Sequence, residues 1–453
     1  MTDDLILTLA RKILPLLHDD RGKLELERLL AQAAVGAPGI AQQILALLNG
    51  YPGLNEWVEL SEWMHNRSLE IPEPPRWPRS SRQYQPSSSR GLPADLDAPT
   101  QGAISRGVPA AMDDDDEGPP EVKPRPEAPY YNVTIHFATD RKRSGDAKPS
   151  RFFTGQPAEG ETAASKMSYG ACNVSIPAGR KHKVGELESP TWKLFENPAK
   201  HVVLLKLTLL DAAAFFASAS NTARQAFVFV HGFNVTFEDA ARRTAQIAHD
   251  LPFPGTPILY SWPSLGSQSP LAYTADEASV ARTIPHLKTF LEDLAAKTKF
   301  ETVHIIAHSM GNRAVAGALQ LMTPASKVKF HQVVLAAADI DADTFKEMAD
   351  QVMSMAQRVT LYASADDEAL KFSKTVHGGY RRAGDAEGGV LVVLGMDSID
   401  ATGMDASFLS HSYFASVRTV LGDLYFVLDG VLAKERKTTV RLAPAGNYYE
   451  FIP

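Results

Sequence analysis

From Tyr130 onward the sequence alternates between short apolar runs and stretches of helical spacing, and this alternation limits the fold more than any other feature. Runs that are apolar at nearly every position are typical of strands buried on both faces. The strands predicted in this way are "YYNVTIHFAT" (130–139), "ACNVSIP" (171–177), "HVVLLKLTLL" (201–210), "AFVFVHG" (226–232), "TPILYSW" (256–262), "TVHIIAHS" (302–309), "KFHQVVLAAAD" (329–339), "RVTLYAS" (358–364) and "GGVLVVLG" (388–395). Helical stretches at about 236–250 and 273–297 lie among them. We therefore predict an α/β fold, in which a mostly parallel sheet is covered by helices on both faces.

The stretch "HIIAHSMGNRAVAGAL" (304–319) combines a buried strand, a sharp turn and a helix of small residues, with Ser309 at the turn. This is the arrangement of a nucleophile elbow, usually written G-x-S-x-G. The residues two before and two after the serine must be small, because the strand and the returning helix come close together. Gly311 meets this need, and Ala307 adds only one methyl group. We expect Ser309 at the carboxyl edge of the sheet, where open α/β sheets bind ligands.

A serine nucleophile needs a base and an acid that orients the base, and behind such an elbow they follow in the order Ser…Asp/Glu…His. Asp339 ends the next predicted strand, and Asp366 and Asp367 follow the strand after that. The usual topology places the acid after the second strand and the histidine after the third. This selects the 366–367 pair and His411, with His377 as the main rival histidine.

Acyl transfer also needs backbone N–H groups that stabilise a developing oxyanion. One is expected from Met310, directly after the nucleophile. The other should come from the loop "FVFVHGFNVTFEDA" (227–240), where a His-Gly pair follows a buried strand. The glycine lets the backbone approach the substrate, and the N–H of Phe233 or of Asn234 would complete the oxyanion hole.

Several further segments accompany these motifs: "IHFATDRKR" (135–143), "YGACNVSIP" (169–177), "SWPS" (261–264), "HSMGNR" (308–313), "YASADDEAL" (362–370) and "HSYF" (411–414). Together with "FVHGFN" (229–234) they resemble the α/β-hydrolase superfamily. More narrowly, they resemble a bacterial group of serine-hydrolase-like proteins long catalogued as of unknown function. The resemblance covers about residues 130–430. It implies an α/β-hydrolase fold, Asp367 as the triad acid, and an alanine at position 307 as normal for the group.

We expect the substrate pocket to be lined by four residues near the elbow: His231, Gly232, Trp262 and His308. Many lipases carry a large lid between the strand that ends here near Asp339 and the strand that begins near Arg358. Only about 18 residues separate these two positions, enough for one helix. An accessible site and activity on short-acyl esters are therefore expected, without a metal or an organic cofactor.

Residues 1–68 are predicted to form a bundle of four short helices, broken at "DDRG" (19–22), "GAPG" (36–39) and "GYPG" (50–53). This bundle weakly resembles the effector-associated domains that tether enzymes to partners in bacterial conflict systems. The alternative is a bundle that only oligomerises or stabilises the protein. Residues 69–128 are expected to be a disordered linker, because 13 of the 30 prolines fall between Pro72 and Pro129. Residues 129–453 then form the hydrolase domain.

The overall composition limits the cellular compartment and the classes of partner that are expected. The formal net charge of −7 gives no reason to expect a nucleic-acid partner. Cys172 is the single cysteine, which excludes an intramolecular disulfide and fits a reducing compartment. The N-terminus lacks the basic region of a signal peptide, and no apolar run approaches the roughly 18 residues of a spanning helix. A cytoplasmic protein without a transmembrane segment is expected.

These observations predict a serine hydrolase that cleaves an ester-type acyl substrate through an acyl-enzyme, with Ser309, Asp367 and His411 as its triad. The N-terminal bundle would recruit it to a protein partner. The alternative is an α/β-hydrolase-fold protein that is catalytically inert and acts through partner interaction, or one that transfers the acyl group to an acceptor other than water.

Overall fold

The computed structural model describes residues 3–14, 20–34, 40–49, 128–160, 162–189, 196–267, 269–323, 330–404 and 414–452. The chain divides into two compact units, Met1–Glu127 and Ala128–Pro453. The predicted fourth helix of the N-terminal bundle and the predicted linker up to residue 127 lie outside the described residues.

In the described residues of the first unit, three helices pack together: α1 (Asp3–Ile13), α2 (Asp20–Ala34) and α3 (Ile40–Asn49). They bury one apolar cluster that includes Leu5, Ile6, Leu9, Leu26 and Ile44. These residues recur at helical spacing, as the sequence predicted. The predicted break at 19–22 is misplaced in part, because α2 already begins at Asp20.

The second unit contains the sheet strands and the helices between them. The strands are β1 (Tyr130–Thr139), β2 (Arg141–Arg143), β3 (Phe153–Pro157), β4 (Ser168–Pro177), β5 (Val203–Leu210), β6 (Gln225–Val230), β7 (Thr256–Ser261), β8 (Thr302–His308), β9 (Phe330–Ala336), β10 (Ala356–Ala363), β11 (Asp397–Asp400), β12 (Val440–Leu442) and β13 (Tyr449–Phe451). The helices are α4 (Ala163–Lys166), α5 (Ala212–Ala219), α6 (Phe237–Asp250), α7 (Pro270–Lys297), α8 (Gly311–Leu321), α9 (Ala342–Ser354), α10 (Glu368–Val376) and α11 (Phe414–Leu428).

Eleven strands form one sheet in the order β12-β13-β11-β10-β9-β8-β6-β7-β1-β4-β5. The neighbours from β1 through β7, β6, β8, β9, β10 and β11 to β13 are parallel, whereas β4, β5 and β12 add antiparallel pairs at the two ends. The predicted, mostly parallel sheet of an α/β-hydrolase fold is therefore confirmed. Since β8 lies in the middle of the parallel run, its carboxyl end opens between the ends of β6 and β9.

Alternate residues of the central strands point into two different cores, which explains their continuous apolar sequence. Val228 and Val230 of β6 join a cluster with residues of α7, α8 and α9, whereas Phe227 and Phe229 join a cluster with residues of α6 and α11. Helices thus cover the sheet on both faces, as predicted. Among the described helices, none is both long enough and apolar enough to cross a membrane.

One strand prediction is wrong. The run "GGVLVVLG" (388–395) forms no strand, and β11 is instead the shorter segment Asp397–Asp400, paired with β10. Val390 and Leu391 are buried, but Leu394 is 95% exposed. Val393 also packs against the core, whereas Val392 is 38% exposed. The run therefore packs only some of its apolar side chains against the domain, and its composition does not reflect burial on two faces.

Candidate active site

Ser309 lies in the turn between β8 and α8, in a backbone conformation that few serines adopt. Its φ is 50°, in the left-handed region that costs a residue with a Cβ roughly 1 kcal/mol or more. Its N–H donates to the carbonyl of Ala336 at 3.0 Å, and the Asn312 side-chain amide donates to the carbonyls of Ser309 (2.9 Å) and Ala336 (3.0 Å). Asn312 is fully buried, and its two bonds together with that of the Ser309 N–H hold the strained turn.

Two glycines allow this turn to approach its neighbours. A Cβ at Gly311 would overlap the carbonyl oxygen of His231 and lie 2.7 Å from that of Val230. A Cβ at Gly232 would lie 2.9 Å from Cβ of Ser309 and 3.0 Å from Nδ1 of His308. The loop after β6 therefore sits directly against the elbow, and both contacts require a residue without a side chain.

Asp339 follows β9 and is tied to the elbow through its backbone. Its N–H donates to the carbonyl of Ser309 at 3.3 Å. Its carboxylate is buried and accepts hydrogen bonds from the hydroxyls of Tyr273 (2.7 Å) and Ser373 (2.5 Å), with Arg313 at 3.2 Å. These donors bind both carboxylate oxygens. Asp339 therefore has a structural role, which is to stabilise the elbow.

Arg313 extends this support toward α7 and α10. It donates to Glu277 at 2.5 Å, and Glu277 also pairs with Nε2 of His377 at 2.7 Å. Burial of Glu277 raises the pKa of its carboxyl, but the hydrogen bonds from His377 and Arg313 outweigh burial and lower that pKa to about 2. His377 is thus held by Glu277 on one nitrogen and by the Ser373 carbonyl, 2.6 Å away, on the other.

Asp366 and Asp367 lie after β10 and have different surroundings. The exposed Asp366 accepts a hydrogen bond from the backbone N–H of Gly403 at 2.8 Å. Asp367 caps α10, because its Oδ1 accepts from the N–H of Leu370 at 2.9 Å. Burial raises the pKa of Asp367, the helix N–H groups oppose that rise, and the nearby charge of Asp339 adds to it. Asp367 thus differs from both other candidate acids. It is partly buried, whereas Asp366 is exposed, and it lacks the set of side-chain donors that hold the carboxylate of Asp339.

His411 lies outside the described residues. The chain that leads to its segment is anchored to the loop after β10 by two hydrogen bonds. The N–H of Ala365 donates to the Thr402 hydroxyl at 2.9 Å, and the N–H of Gly403 donates to Asp366. The described chain resumes at Phe414, where α11 begins.

The predicted oxyanion donors lie on the two segments that meet at Gly232. Met310 stands directly before α8, and its side chain is buried. The ring of Phe233 packs edge-on against Tyr273, with 5.1 Å between ring centroids. Asn234 has a φ of 57°, and its backbone N–H lies near the buried carboxylate of Asp276 and helps to lower the pKa of that carboxyl against the rise caused by burial. Among the loop amides, this leaves the Phe233 N–H as the better candidate.

The residues expected to line a pocket divide into two groups. Gly232 lies next to Ser309, and Nδ1 of His308 faces Gly232, whereas His231 and Trp262 are 1% and 0% exposed. The indole N–H of Trp262 donates to the carbonyl of His231 at 2.7 Å, and the two rings stack at 5.1 Å. His231 and Trp262 therefore form the floor beneath the loop. Burial and the charge of Arg243 lower the pKa of His308 to about 3.

A second cluster of titratable groups lies away from the elbow, where His182, His249 and Asp250 bring ligand-type atoms within 4.8 Å of one another. Both nitrogens of His182 contact carboxylates, Asp250 at 2.7 Å and Glu188 at 2.9 Å. Burial lowers the pKa of His182, but the two carboxylates outweigh burial and raise that pKa to about 9. These are the distances of a charged hydrogen-bonded clamp, and a histidine that donates from both nitrogens has no lone pair for a metal.

The sequence did not single out the residues that hold these segments together. They are Arg141, Ser261, Asp276, Tyr273, Asn312 and Arg313. Arg141, Ser261, Asn312 and Arg313 stand inside quoted motifs, so the motifs marked their segments without giving their roles. Asp276 and Tyr273 lie within α7, a helix of ordinary composition. A single acidic or aromatic residue in such a helix gives no indication of function.

The strained serine between a buried strand and a helix is the arrangement that G-x-S-x-G elbows adopt. Residues 213–427 match the model of a family described as an alpha/beta hydrolase of unknown function (DUF900). The match includes the elbow, the loop after β6, the three candidate acids and His411. It supports hydrolase activity for this domain.

Solved structures with a similar arrangement include three enzymes. A hormone-sensitive lipase from a metagenome library is 12% identical with a TM-score of 0.27, covering 47% of this chain and 81% of its own. Carboxyl esterase 2 of Tuber melanosporum is 9% identical with a TM-score of 0.26, covering 58% and 83%. A thermostable esterase of Pseudomonas putida ECU1011 is 15% identical with a TM-score of 0.27, covering 61% and 81%. No curated protein sequence gives a significant match.

Proposed function

We propose that this protein is a serine hydrolase that cleaves a carboxylic ester through an acyl-enzyme, with Ser309 as nucleophile. The observation that carries the proposal is the left-handed φ of Ser309, maintained at the carboxyl end of a central strand. Backbone strain persists where the surrounding contacts impose it, and it is concentrated at functional sites. Here Asn312, Ala336 and Gly232 impose it.

In the proposed reaction, the Ser309 hydroxyl attacks the acyl carbon while His411 accepts its proton. The negative charge that develops on the acyl oxygen is stabilised by the N–H groups of Met310 and Phe233. His411 then returns the proton to the leaving alcohol. Water, deprotonated by His411, hydrolyses the acyl-enzyme and regenerates Ser309.

We propose Asp367 as the acid that orients His411. The carboxylate of Asp339 is held by Tyr273, Ser373 and Arg313, and moving it would leave those buried groups without partners. Asp366 is exposed to water, which weakens any interaction with an imidazole. Asp367 combines partial burial with a position after the second strand beyond the elbow.

The substrate class follows from the connection between β9 and β10, which contains the single helix α9. The 19 residues between Ala336 and Ala356 leave no room for a bulky lid at that place. Ser309 itself is only 9% exposed, so the expected open access to the serine is not seen. A site without a large lid between β9 and β10 favours small or short-acyl esters over long-chain lipids, which need a large apolar surface around the acyl chain.

The nucleophile is tested with the full-length protein and a fluorophosphonate probe, together with p-nitrophenyl acetate, butyrate and octanoate. Ser309→Ala should abolish labelling and lower kcat by at least about 10³-fold, since no other group replaces the nucleophile. Ser354→Ala, at an exposed serine at the end of α9, is the matched control and should behave as wild type. A wild-type protein that neither labels nor turns over any ester would refute the proposal.

The base is tested by comparing His411→Ala with His377→Ala. We expect His411→Ala to lose turnover to a similar extent, and His377→Ala to keep it within about threefold, because His377 is already paired with Glu277. The opposite result would assign the role of base to His377.

Product analysis with added alcohols then separates hydrolysis from acyl transfer.

A further inference from the structure

Arg141 is a buried arginine, 1% exposed, whose guanidinium joins three segments beside the elbow. Its Nε donates to Ser261 Oγ at 2.9 Å. One terminal nitrogen donates to the carbonyls of Thr154 (3.2 Å) and Ser264 (2.8 Å). The other donates to the carbonyl of Val235 (2.7 Å) and lies 3.3 Å from His231 Nε2. The five N–H groups of the guanidinium thus face five acceptors.

These contacts assign the ring proton of His231 to one nitrogen. Nδ1 of His231 lies 2.9 Å from the carbonyl of Gly232, which only accepts, so Nδ1 carries the proton. Nε2 then accepts from Arg141 and from the hydroxyl of Ser261, 3.1 Å away. Burial, together with the charge of Arg141, lowers the pKa of His231 well below its ordinary value and keeps the ring neutral.

The loop that carries Phe233 is held at both ends by this network. At its start, His231 is fixed by Arg141, Ser261 and Trp262. At its end, Val235 donates its N–H to the Ser264 hydroxyl at 3.1 Å, and its carbonyl accepts from Arg141. Between these ends, Gly232 lies against Ser309, so the orientation of the Phe233 amide depends on where the two ends are fixed.

The buried carboxylate of Asp276 holds the turn after β7, which also contacts Arg141. Asp276 accepts from the Ser264 hydroxyl at 2.6 Å and from the N–H of Leu265 at 2.9 Å, and the N–H of Asn234 lies near it. Burial lowers the pKa of Arg141 to about 10, with Asp276 opposing this, so the guanidinium stays charged at neutral pH. Arg141 is thus available as a donor throughout the neutral range.

We infer that Arg141 is a positioning residue that sets the loop 231–235, and through it the Phe233 N–H, for stabilisation of the oxyanion. This rests on the proposed serine hydrolase function. Arg141 does not touch the substrate, and its effect is confined to the transition state, where the oxyanion forms. A lysine has three donors in a different geometry and does not replace the planar five-donor fork.

The test compares Arg141→Lys and Arg141→Gln with Ser261→Ala in the full-length protein. Ser261→Ala removes the hydroxyl that contacts both Arg141 and His231 and leaves the other contacts of Arg141 in place. The matched control is Arg436→Lys, at another fully buried arginine that pairs with Asp423 at 2.8 Å. We measure kcat, KM, the active fraction by fluorophosphonate titration, and the inhibition constant of a boronic acid, which mimics the tetrahedral intermediate.

We expect the Arg141 variants to lose about 10²-fold in kcat per active site, the scale of removing one oxyanion donor, with KM changed less than threefold. Boronate affinity should fall in parallel with kcat/KM. Ser261→Ala should lose roughly tenfold, and Arg436→Lys should keep the wild-type kcat per active site. The inference is wrong if the folded Arg141 variants keep kcat, or if Arg436→Lys reproduces their loss.

A second readout does not depend on turnover. In protein labelled with ¹⁵N-histidine, His231 should give the signals of a neutral ring protonated at Nδ1, and Arg141→Gln should shift them. An unchanged His231 spectrum in Arg141→Gln would overturn the inference even if no ester is a substrate. Absence of wild-type turnover, with the shift present, would instead count against the hydrolase function alone.

Discussion

Gly232 and Ser309 lie in contact, so that a methyl group on Gly232 would stand 2.9 Å from Cβ of Ser309. One residue follows a buried strand and the other follows its neighbour in the sheet, and the two turns meet at the carboxyl edge. This contact brings the candidate nucleophile beside the loop that carries the second candidate oxyanion donor. The candidate site is therefore a close junction of two turns, and its geometry is sensitive to small steric changes.

The first prediction concerns the glycines of this junction. Gly311→Ala should destabilise the protein by about 1–3 kcal/mol, because the new Cβ overlaps the carbonyl of His231. Gly232→Ala should chiefly lower kcat, because it displaces Ser309. Gly422→Ala is the matched control: its Cβ would meet no atom within 4 Å in α11, and it should stabilise the protein by about 0.5–1 kcal/mol. Urea unfolding and ester turnover measure both effects.

The second prediction separates the three candidate acids. Asp367→Asn should lower kcat by about 10²–10⁴-fold with little loss of stability, as expected for a residue that orients the base. Asp339→Asn should mainly destabilise the protein, because an amide cannot accept from all the donors around a buried carboxylate. Asp366→Asn should change kcat less than tenfold. If Asp366→Asn gives the largest loss of kcat in folded protein, Asp366 is the acid.

The third prediction tests the backbone conformation at Asn234, whose φ is 57°. Asn234→Gly should keep both stability and turnover, because glycine adopts this conformation without a steric cost. Asn234→Val should destabilise the protein by about 1–2 kcal/mol and lower kcat, because a β-branched residue there is strained. Equal thermal midpoints and equal kcat for the glycine and valine variants would contradict this account of the loop.

The fourth prediction is a pH dependence of stability that originates at His182. Its pKa is about 9 in the folded protein, raised by Asp250 and Glu188, against about 6.5 in an unfolded chain. The stabilisation is therefore complete below about pH 6.5 and is lost as the pH rises through 9, by an amount on the order of 3 kcal/mol. Urea unfolding of wild type should show this decline, whereas His182→Gln should be less stable at pH 6 and change little up to pH 9. Parallel curves for the two proteins would exclude His182 as the source.

Much of the fold was predictable from local sequence. The central strands β6 to β10 coincide closely with the apolar runs, because a strand buried on both faces needs apolar residues at nearly every position. The short strands β2 and β3, which form a separate pair, were not predicted. The elbow was predictable for a similar reason, since small residues around Ser309 reflect a steric need that is local to the chain. The strand prediction for 388–395 was wrong because an apolar run does not reveal how many of its side chains pack against the rest of the protein. Leu394, for example, is almost fully exposed.

The sequence by itself thus determined the strand–helix alternation, the elbow at Ser309 and the chain order of the candidate acid and base. Only the tertiary structure decided that the carboxylate of Asp339 accepts hydrogen bonds from Tyr273 and Ser373, and that Arg141 holds the loop beside the elbow. Arg141 stands roughly 90 residues before that loop, and a buried arginine is stable only where distant carbonyls and hydroxyls converge on it. Such convergence depends on how the strands are ordered in the sheet, and no periodicity or short motif in the chain encodes it.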